Sequence, residues 1–248
     1  MGVLVEICCG SVEDVIQAEK GGAHRVELCS ALALGGLTPS AATIIEAKRH
    51  TKLPVMVMIR PRSGGFCYSE VEFSTMEREM EIAAELGADG FVFGVLTPEG
   101  QVDVRRTKRL ADHSHGLPIV FHRAFDVTPD PFEALDQIME IGMTRLLTSG
   151  QVPKSLEGAS LIRSLIQRSG GRIEVMVGGG VRIGNVAEVV QQTGCRQIHL
   201  SAHSQHIDTS TYANRAISFG ASHSALEEHV SVVDYSVVAA IVQVAGQV

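Results

Sequence analysis

Eight short apolar runs rich in β-branched residues recur along the chain and alternate with segments of helical periodicity. Such runs predict strands, and a helix between two strands indicates that the strands are parallel neighbours, because parallel pairing requires a long crossover. Thr38-Pro39, and either Thr128-Pro129 or Asp130-Pro131, predict helix starts with Pro at the first helical position. The predicted strands are residues 3–8, 25–29, 55–60, 90–95, 118–122, 145–148, 173–177 and 197–201.

This alternation predicts an α/β fold, a (β/α)8 TIM barrel that occupies residues 1–248 as a single domain. A length of 248 residues suits one such barrel. The alternative is an open doubly wound sheet, but no Gly-rich dinucleotide motif follows the first strand. Residues 203–233 are polar and rich in Ser and His, and we expect an irregular excursion between strand eight and the last helix. It would cover the barrel mouth, form a subunit contact or be merely solvated.

The charge and hydropathy of the chain exclude several kinds of binding partner. The net charge is −7 and no basic cluster occurs, which argues against nucleic acid and against an anionic membrane surface. No apolar stretch is long enough to span a bilayer, and no secretory signal is recognisable. Five scattered cysteines suit a reducing compartment. We therefore expect a cytoplasmic protein whose partner is a metal ion, a small anionic molecule or another protein.

The sequence Val-Glu-Ile-Cys at 5–8 returns as Val-Glu-Leu-Cys at 26–29. Alternate residues of a strand share a face, so Glu6, Cys8, Glu27 and Cys29 would all point into one cavity if the two strands are neighbours. Two thiols and two carboxylates there indicate a soft-metal site or an acid/base site. The competing interpretation is that the thiols are small buried apolar side chains and that the carboxylates pair with arginines.

Further polar residues follow the predicted strands, where TIM barrels carry their working groups. In an enzyme, Glu6 or Glu27 would be the general base and His122 the acid, with Arg60 and Arg123 clamping an anion. The alternative is a structural layer in which the two glutamates pair with the arginines and histidines. Lysines are absent from strand ends, so Schiff-base chemistry is disfavoured.

Backbone N–H groups after strands six to eight could bind an anion. Thr148, Ser149, Gly179, Gly180 and Ser201 lie where barrels often hold phosphate, although poly-Gly also serves as a simple tight turn. The spacing of His199, His203 and His206 would let a loop gather them around a metal, but independent positions are favoured.

Several longer motifs resemble the CutC copper-homeostasis family. They are Glu-Ile-Cys at 6–8, Arg-Val-Glu-Leu-Cys at 25–29, Gly-Gly-Leu-Thr-Pro-Ser at 35–40, Ile-Arg-Pro-Arg at 59–62, Phe-His-Arg-Ala-Phe-Asp at 121–126 and Leu-Thr-Ser-Gly at 147–150. The resemblance covers nearly the whole chain and weakens over residues 203–230. It implies a (β/α)8 barrel in the cytosol, a homo-oligomer with a dimer as the favoured size, and an association with copper. It also implies that Cys8 and Cys29 are the Cu(I) ligands.

One loop departs from the family pattern. Where the family reads Arg-Pro-Arg-Gly-Gly-Asp-Phe, this chain has Arg-Pro-Arg-Ser-Gly-Gly-Phe at 60–66, so the acidic residue is missing. Three hypotheses follow from the sequence. The first is a Cu(I)-binding copper-homeostasis protein, and the second is a metal-independent barrel enzyme acting on a small phosphorylated or carboxylated substrate. The third is a binding or assembly module that uses residues 202–233.

Overall fold

Eight parallel strands close into a barrel, with each strand hydrogen-bonded to its neighbours in chain order and β8 pairing with β1. The computed structural model describes residues 2–214, 216–217 and 228–248. The predicted TIM barrel is confirmed, and six of the eight strands are slightly shorter than predicted, while the first is shifted by one residue and the sixth has the predicted bounds. The observed strands are β1 Leu4–Cys9, β2 Arg25–Leu28, β3 Val55–Met58, β4 Gly90–Phe93, β5 Ile119–Phe121, β6 Arg145–Thr148, β7 Glu174–Val177 and β8 Gln197–Leu200.

Helices surround the barrel, and most of them begin at a capping side chain. The Asp130-Pro131 start is confirmed, since Asp130 accepts hydrogen bonds from the amides of Phe132 and Glu133. The Thr38-Pro39 start is wrong: the helix begins two residues later because Ser40 is the cap. The helices are α1 Val12–Lys20, α2 Ala41–His50, α3 Glu70–Glu85, α4 Val104–His113, α5 Pro131–Ile141, α6 Ala159–Ser169, α7 Val186–Thr193 and α8 Tyr235–Ala245.

The core has two parts, separated by the strands. One lies between sheet and helices and includes Val5, Ile7, Val26 and Leu28, all fully buried. The other fills the barrel interior and contains Cys29, Met56, Met58, Val92, Val120, Leu147 and Met176. Strands buried on both faces read as continuous apolar runs, which is why they are visible in the sequence.

The excursion after β8 contains regular structure at both ends. Strands β9, His203–Ile207, and β10, His229–Val233, form an antiparallel ribbon. Asp14 on α1 fixes the base of this ribbon: its Oδ1 accepts from the Val233 amide at 2.8 Å, and its Oδ2 accepts from the Gly10 amide at 2.8 Å. His203 Nε2 lies 3.5 Å from the same carboxylate. The ribbon is therefore tied to the loop that follows β1.

Candidate metal centre

Three neighbouring strands bring the repeated Glu-x-Cys motif together with a histidine. In the parallel register, Glu6 lies opposite His199 on β8, and Cys8 lies opposite Glu27 on β2. The predicted orientation is thus observed. The side chains that turn away from the helices are those of Glu6, Cys8, Glu27 and Cys29, and the apolar residues that alternate with them pack against the helices. The side chains of these strand ends form one cluster inside the barrel.

Glu6 is held as an anion by two cationic neighbours. Arg25 Nε donates to Glu6 Oε2, and His199 Nδ1 donates to Glu6 Oε1 at 2.8 Å. Although burial opposes ionisation, the charges of Arg25 and His199 lower the pKa of Glu6 to about 2. Arg25 also donates to Gln197 Oε1 at 2.9 Å, so its guanidinium group is held by both Glu6 and Gln197. This chain of contacts fixes the ring orientation of His199.

Sequence reasoning missed Arg25 as a partner of Glu6. Arg25 precedes Glu27 by two residues and therefore shares its strand face, which was a usable signal. The predicted pairing of the two glutamates with a histidine is observed at His199. Their predicted pairing with Arg60 and Arg123 does not occur, because both of those arginines bond to groups in loops outside the strand cluster.

Glu27 lies beside both thiols. Its Oε2 is 3.5 Å from Cys8 Sγ and 3.5 Å from Cys29 Sγ, and it is 3.8 Å from His199 Nε2. Burial raises the pKa of Glu27 to about 8 against the opposing charge of His199, so the carboxyl is mostly neutral at pH 7. Its Oε1 is buried and has no hydrogen-bond partner among the described residues.

The two cysteines differ in acidity. Hydrogen bonds from the Cys29 thiol and, to a lesser extent, from His199 lower the pKa of Cys8 well below its usual value, although burial opposes this. Donation to the Cys8 sulfur, together with burial, raises the pKa of Cys29 well above its usual value. Burial opposes protonation of His199, but the neighbouring Glu27, Cys8 and Glu6 raise its pKa well above the ordinary value of 6.5. The two shifts favour the deprotonated form of Cys8 and the protonated form of His199.

The donor atoms are close enough to share one ion. One ligand atom each from Cys8, Glu27 and His199 lies within 4.8 Å of the others, a grouping unique within the described part of the chain. The Cys29 sulfur adjoins the Glu27 oxygen of that group. Thiolates and imidazole suit soft and borderline metals such as Cu(I) and Zn²⁺. The residues present therefore fit a soft metal ion.

Arg60 and His122 lie elsewhere on the mouth. The Arg60 guanidinium donates to the carbonyls of Leu34, Gly36 and Gly64 at 3.1, 3.0 and 2.8 Å. Burial and the nearby Arg60 charge lower the pKa of His122 to about 3, so this histidine is neutral at pH 7. It is unsuited to the predicted role of general acid, because it carries no proton to donate as an imidazolium.

The predicted anion nest after β6 is filled by a carboxylate of the chain itself. Asp126 accepts hydrogen bonds from Thr148 Oγ1, from the Ser149 amide and hydroxyl, and from the Gln151 amide. Arg123 Nε donates to the same carboxylate at 2.7 Å. Thr148, Ser149 and Arg123 are thus brought together, but around Asp126 rather than around an open space.

A cavity of 1120 Å³ lies over the cluster, between the strand ends and the β9–β10 ribbon. The predicted residues that line it are Cys8, Glu27, Cys29, Arg60, His122, Arg123, His199 and Ser201. Thr148, Ser149, Gly179 and Gly180 are not part of its lining, and Gly179 instead accepts from the Ser155 amide through its carbonyl oxygen at 2.8 Å. Gly179 lies near Arg123, whose Cζ would be 3.6 Å from a Cβ atom at that position, but this turn does not line the cavity.

The remaining predicted ligands are dispersed. His203 lines the cavity and contacts Asp14, whereas His206 is exposed on β9, so these two do not join His199 in one metal site. Cys9 faces the helices, Cys195 is buried at the start of β8, and Cys67 is exposed. Two of the five cysteines are thus brought together at the mouth.

Comparison with known proteins points to the same family as the sequence motifs. The CutC family model matches residues 3–204. A CutC family protein from Treponema denticola is 46% identical over 218 residues, which are 88% of this chain and 89% of that protein. The copper homeostasis protein cutC homolog of Homo sapiens is 42% identical over 233 residues, 94% of this chain and 85% of its own. The crystal structure of CutC from Streptococcus agalactiae has a TM-score of 0.77 at 39% identity, covering 80% of this chain and 98% of that one.

None of the helices within the described residues combines the length and apolarity that crossing a bilayer requires.

Proposed function

This chain belongs to the CutC family, and we propose that it acts in copper homeostasis by binding Cu(I) through the thiolates of Cys8 and Cys29. The observation that supports this most strongly is the position of the two sulfurs, each 3.5 Å from one oxygen of Glu27. Two thiols that contact the same atom can reach one ion without rearrangement of the strands. Thiolate donors favour Cu(I) among the physiological copper states.

His199 supplies the third ligand in this proposal. Its Nδ1 is engaged by Glu6, which leaves Nε2 on the side of Glu27 and Cys8. A carboxylate that fixes a metal-binding histidine through its second nitrogen is the usual outer-shell arrangement, and it orients the ring. When the ion enters, protons leave Cys29 and His199, because both groups must be deprotonated to bind it.

A competition titration tests the proposal. Reduced protein is titrated with Cu(I) against a chromophoric Cu(I) chelator under anaerobic conditions, with Zn²⁺ in a parallel arm. We expect one Cu(I) per chain, and we expect the Cys8→Ser, Cys29→Ser double variant to lose at least about 100-fold in affinity. The matched control is the Cys67→Ser, Cys195→Ser double variant, which also removes two thiols but leaves the cluster intact.

Two results would contradict the proposal. One is an unchanged Cu(I) affinity in the Cys8→Ser, Cys29→Ser variant, since the thiols would then not be ligands. The other is a preference for Zn²⁺ over Cu(I) in the wild type, since all four donors of the cluster could also complete a tetrahedral zinc site.

A further inference from the structure

Two donor atoms on the other side of the mouth lack partners. Arg60 Nε and His122 Nε2 are buried and form no hydrogen bond within the described part of the chain. His122 Nδ1 accepts from the Ala124 amide at 3.2 Å, so in the neutral ring the proton resides on Nε2. Both orphan atoms are therefore N–H donors. Leaving buried donors unpaired is costly, and an acceptor between them would remove that cost.

Arg60 also carries an uncompensated charge. Its guanidinium bonds to three carbonyls, and none of the described carboxylates forms an ion pair with it, although its residue is only 6% exposed. Arg62, in the same loop, braces the carbonyls of Ser63, Gly65 and Cys67 in a similar way but pairs with Glu72. A buried cation without a counter-ion favours the binding of an anion.

The cavity next to these donors is far larger than a metal ion needs. The cavity volume is 1120 Å³, which is enough for a small molecule, since a typical small-molecule site has a volume of several hundred Å³. Apolar side chains of Leu32, Met58 and Phe66 are part of its lining. The Phe66 ring contacts both donor groups, with its centroid 5.0 Å from that of His122 and 5.3 Å from Arg60 Cζ. This half-buried ring lines the same cavity as both donor residues.

We propose that the mouth binds a second ligand, a small organic anion whose carboxylate or phosphoryl oxygens accept hydrogen bonds from Arg60 and His122. The Phe66 ring turns aside to admit the oxyanion, and the apolar body of the ligand packs against Phe66 and Leu32. This site shares the cavity with the thiols and requires no metal ion. It adds an organic ligand of defined chemistry to the copper function proposed above.

Thermal denaturation of the metal-free protein with simple probes tests the site. Benzoate and phenyl phosphate represent the two oxyanion classes, and benzamide is the neutral control, all at matched ionic strength. We expect at least one of the anions to raise the Tm by about 2–4 °C at roughly ten times its Kd, and benzamide to have no such effect. Absence of stabilisation by both anions, or equal stabilisation by benzamide, would overturn the proposal.

Variants of two arginines test whether the anion binds at Arg60. Arg60→Met should lower the affinity for the stabilising anion about 30-fold or more, because the buried charge is lost. Arg62→Met is the matched control, since it also removes an arginine that braces loop carbonyls, and it should leave the affinity within about twofold. Retention of anion binding in folded Arg60→Met would contradict the assignment.

Should Arg60→Met not fold, the wild type itself provides the decisive measurement. In ¹H–¹⁵N spectra of the histidine side chains, the stabilising anion should shift the His122 ring signal and leave that of His113, on the outer helix α4, unchanged. An unshifted His122 signal at saturating anion would contradict the proposal. The Cys8→Ser, Cys29→Ser variant retains Arg60 and His122 and should still bind the anion, so failure of the copper proposal and failure of this one are distinguishable.

Discussion

His199 Nδ1 lies 2.8 Å from Glu6 Oε1, and this contact joins the first and last strands of the barrel. Glu6 is also paired with Arg25 from β2, so one carboxylate links three consecutive positions of the closed sheet. The contact fixes the orientation of the His199 ring and at the same time neutralises a buried charge. Both roles have measurable consequences.

Replacement of Glu6 by Gln should destabilise the fold. Arg25 would stay buried without a carboxylate, and breaking a buried ion pair costs about 3–5 kcal/mol. Because the pKa of Glu6 is about 2 in the folded protein and near 4.5 when unfolded, its contribution is complete above pH 4.5. It is lost as the pH falls from about 4.5 toward about 2, so the difference between wild type and variant should shrink over that range.

Urea denaturation at several pH values measures this effect. Glu46→Gln is the matched control, because Glu46 also contacts an arginine and a histidine, but on the exposed face of α2. A surface pair of this kind contributes about 0–1 kcal/mol. Equal losses in the two variants would show that Glu6 and Arg25 do not form a buried pair.

The β9–β10 ribbon should detach from the barrel when Asp14 is replaced by Asn. Despite burial, the nearby His203 ring and the hydrogen bonds from the amides of Val233 and Gly10 lower the pKa of Asp14, and Asp14 in turn raises the pKa of His203. The Asp14 contribution is present above its ordinary pKa of about 3.9 and is lost as the pH falls. The His203 contribution is present below its ordinary pKa of about 6.5 and is lost as the pH rises through the raised value.

Hydrogen exchange monitors that attachment directly. At about pH 6, where both contributions are present, Asp14→Asn should speed exchange of the Val233 amide by about tenfold or more, while amides of β3 to β6 keep their protection. Glu13→Gln, the neighbouring change on α1, serves as the control. Unaltered protection of Val233 in Asp14→Asn would mean that the carboxylate does not hold the ribbon.

The loop after β6 should depend on Asp126 for its stability. Asp126→Ala removes the acceptor of the hydrogen bonds from Thr148, Ser149 and Gln151. Because these buried donors would be left unpaired, we expect the free energy of unfolding to fall by about 2–4 kcal/mol. Asp112→Ala, at an exposed ion pair on α4, should change stability by less than about 0.5 kcal/mol. Calorimetric unfolding of the two variants compares them, and a loss below 1 kcal/mol in Asp126→Ala would refute the role given to this carboxylate.

The sequence was sufficient for those parts of the site that depend on strand periodicity. Period-two alternation placed Glu6, Cys8, Glu27 and Cys29 on one face, and barrel closure brought β1 and β2 side by side. Arg25 was within reach of the same rule. However, Arg25 begins β2, whereas the working groups of a TIM barrel are expected at the carboxyl ends of its strands.

Loop residues could not be placed in this way. The direction of Arg60 depends on the carbonyls of Leu34, Gly36 and Gly64, which come from two different loops. Asp126 reaches the Ser149 amide because the short helical turn Arg123–Val127 places it there. The β9–β10 ribbon lacks the apolar alternation of a core strand, since most of its residues are exposed, and so it was predicted to be irregular. Such contacts depend on tertiary geometry rather than on local pattern.

Copper K-edge X-ray absorption of the reduced protein loaded with one equivalent of Cu(I) tests the central claim most directly. The proposed site predicts two sulfur scatterers from Cys8 and Cys29 and one nitrogen from His199. The signal should revert to one without sulfur in the Cys8→Ser, Cys29→Ser variant and stay unchanged in Cys67→Ser, Cys195→Ser. A wild-type spectrum with only nitrogen and oxygen neighbours would contradict the account.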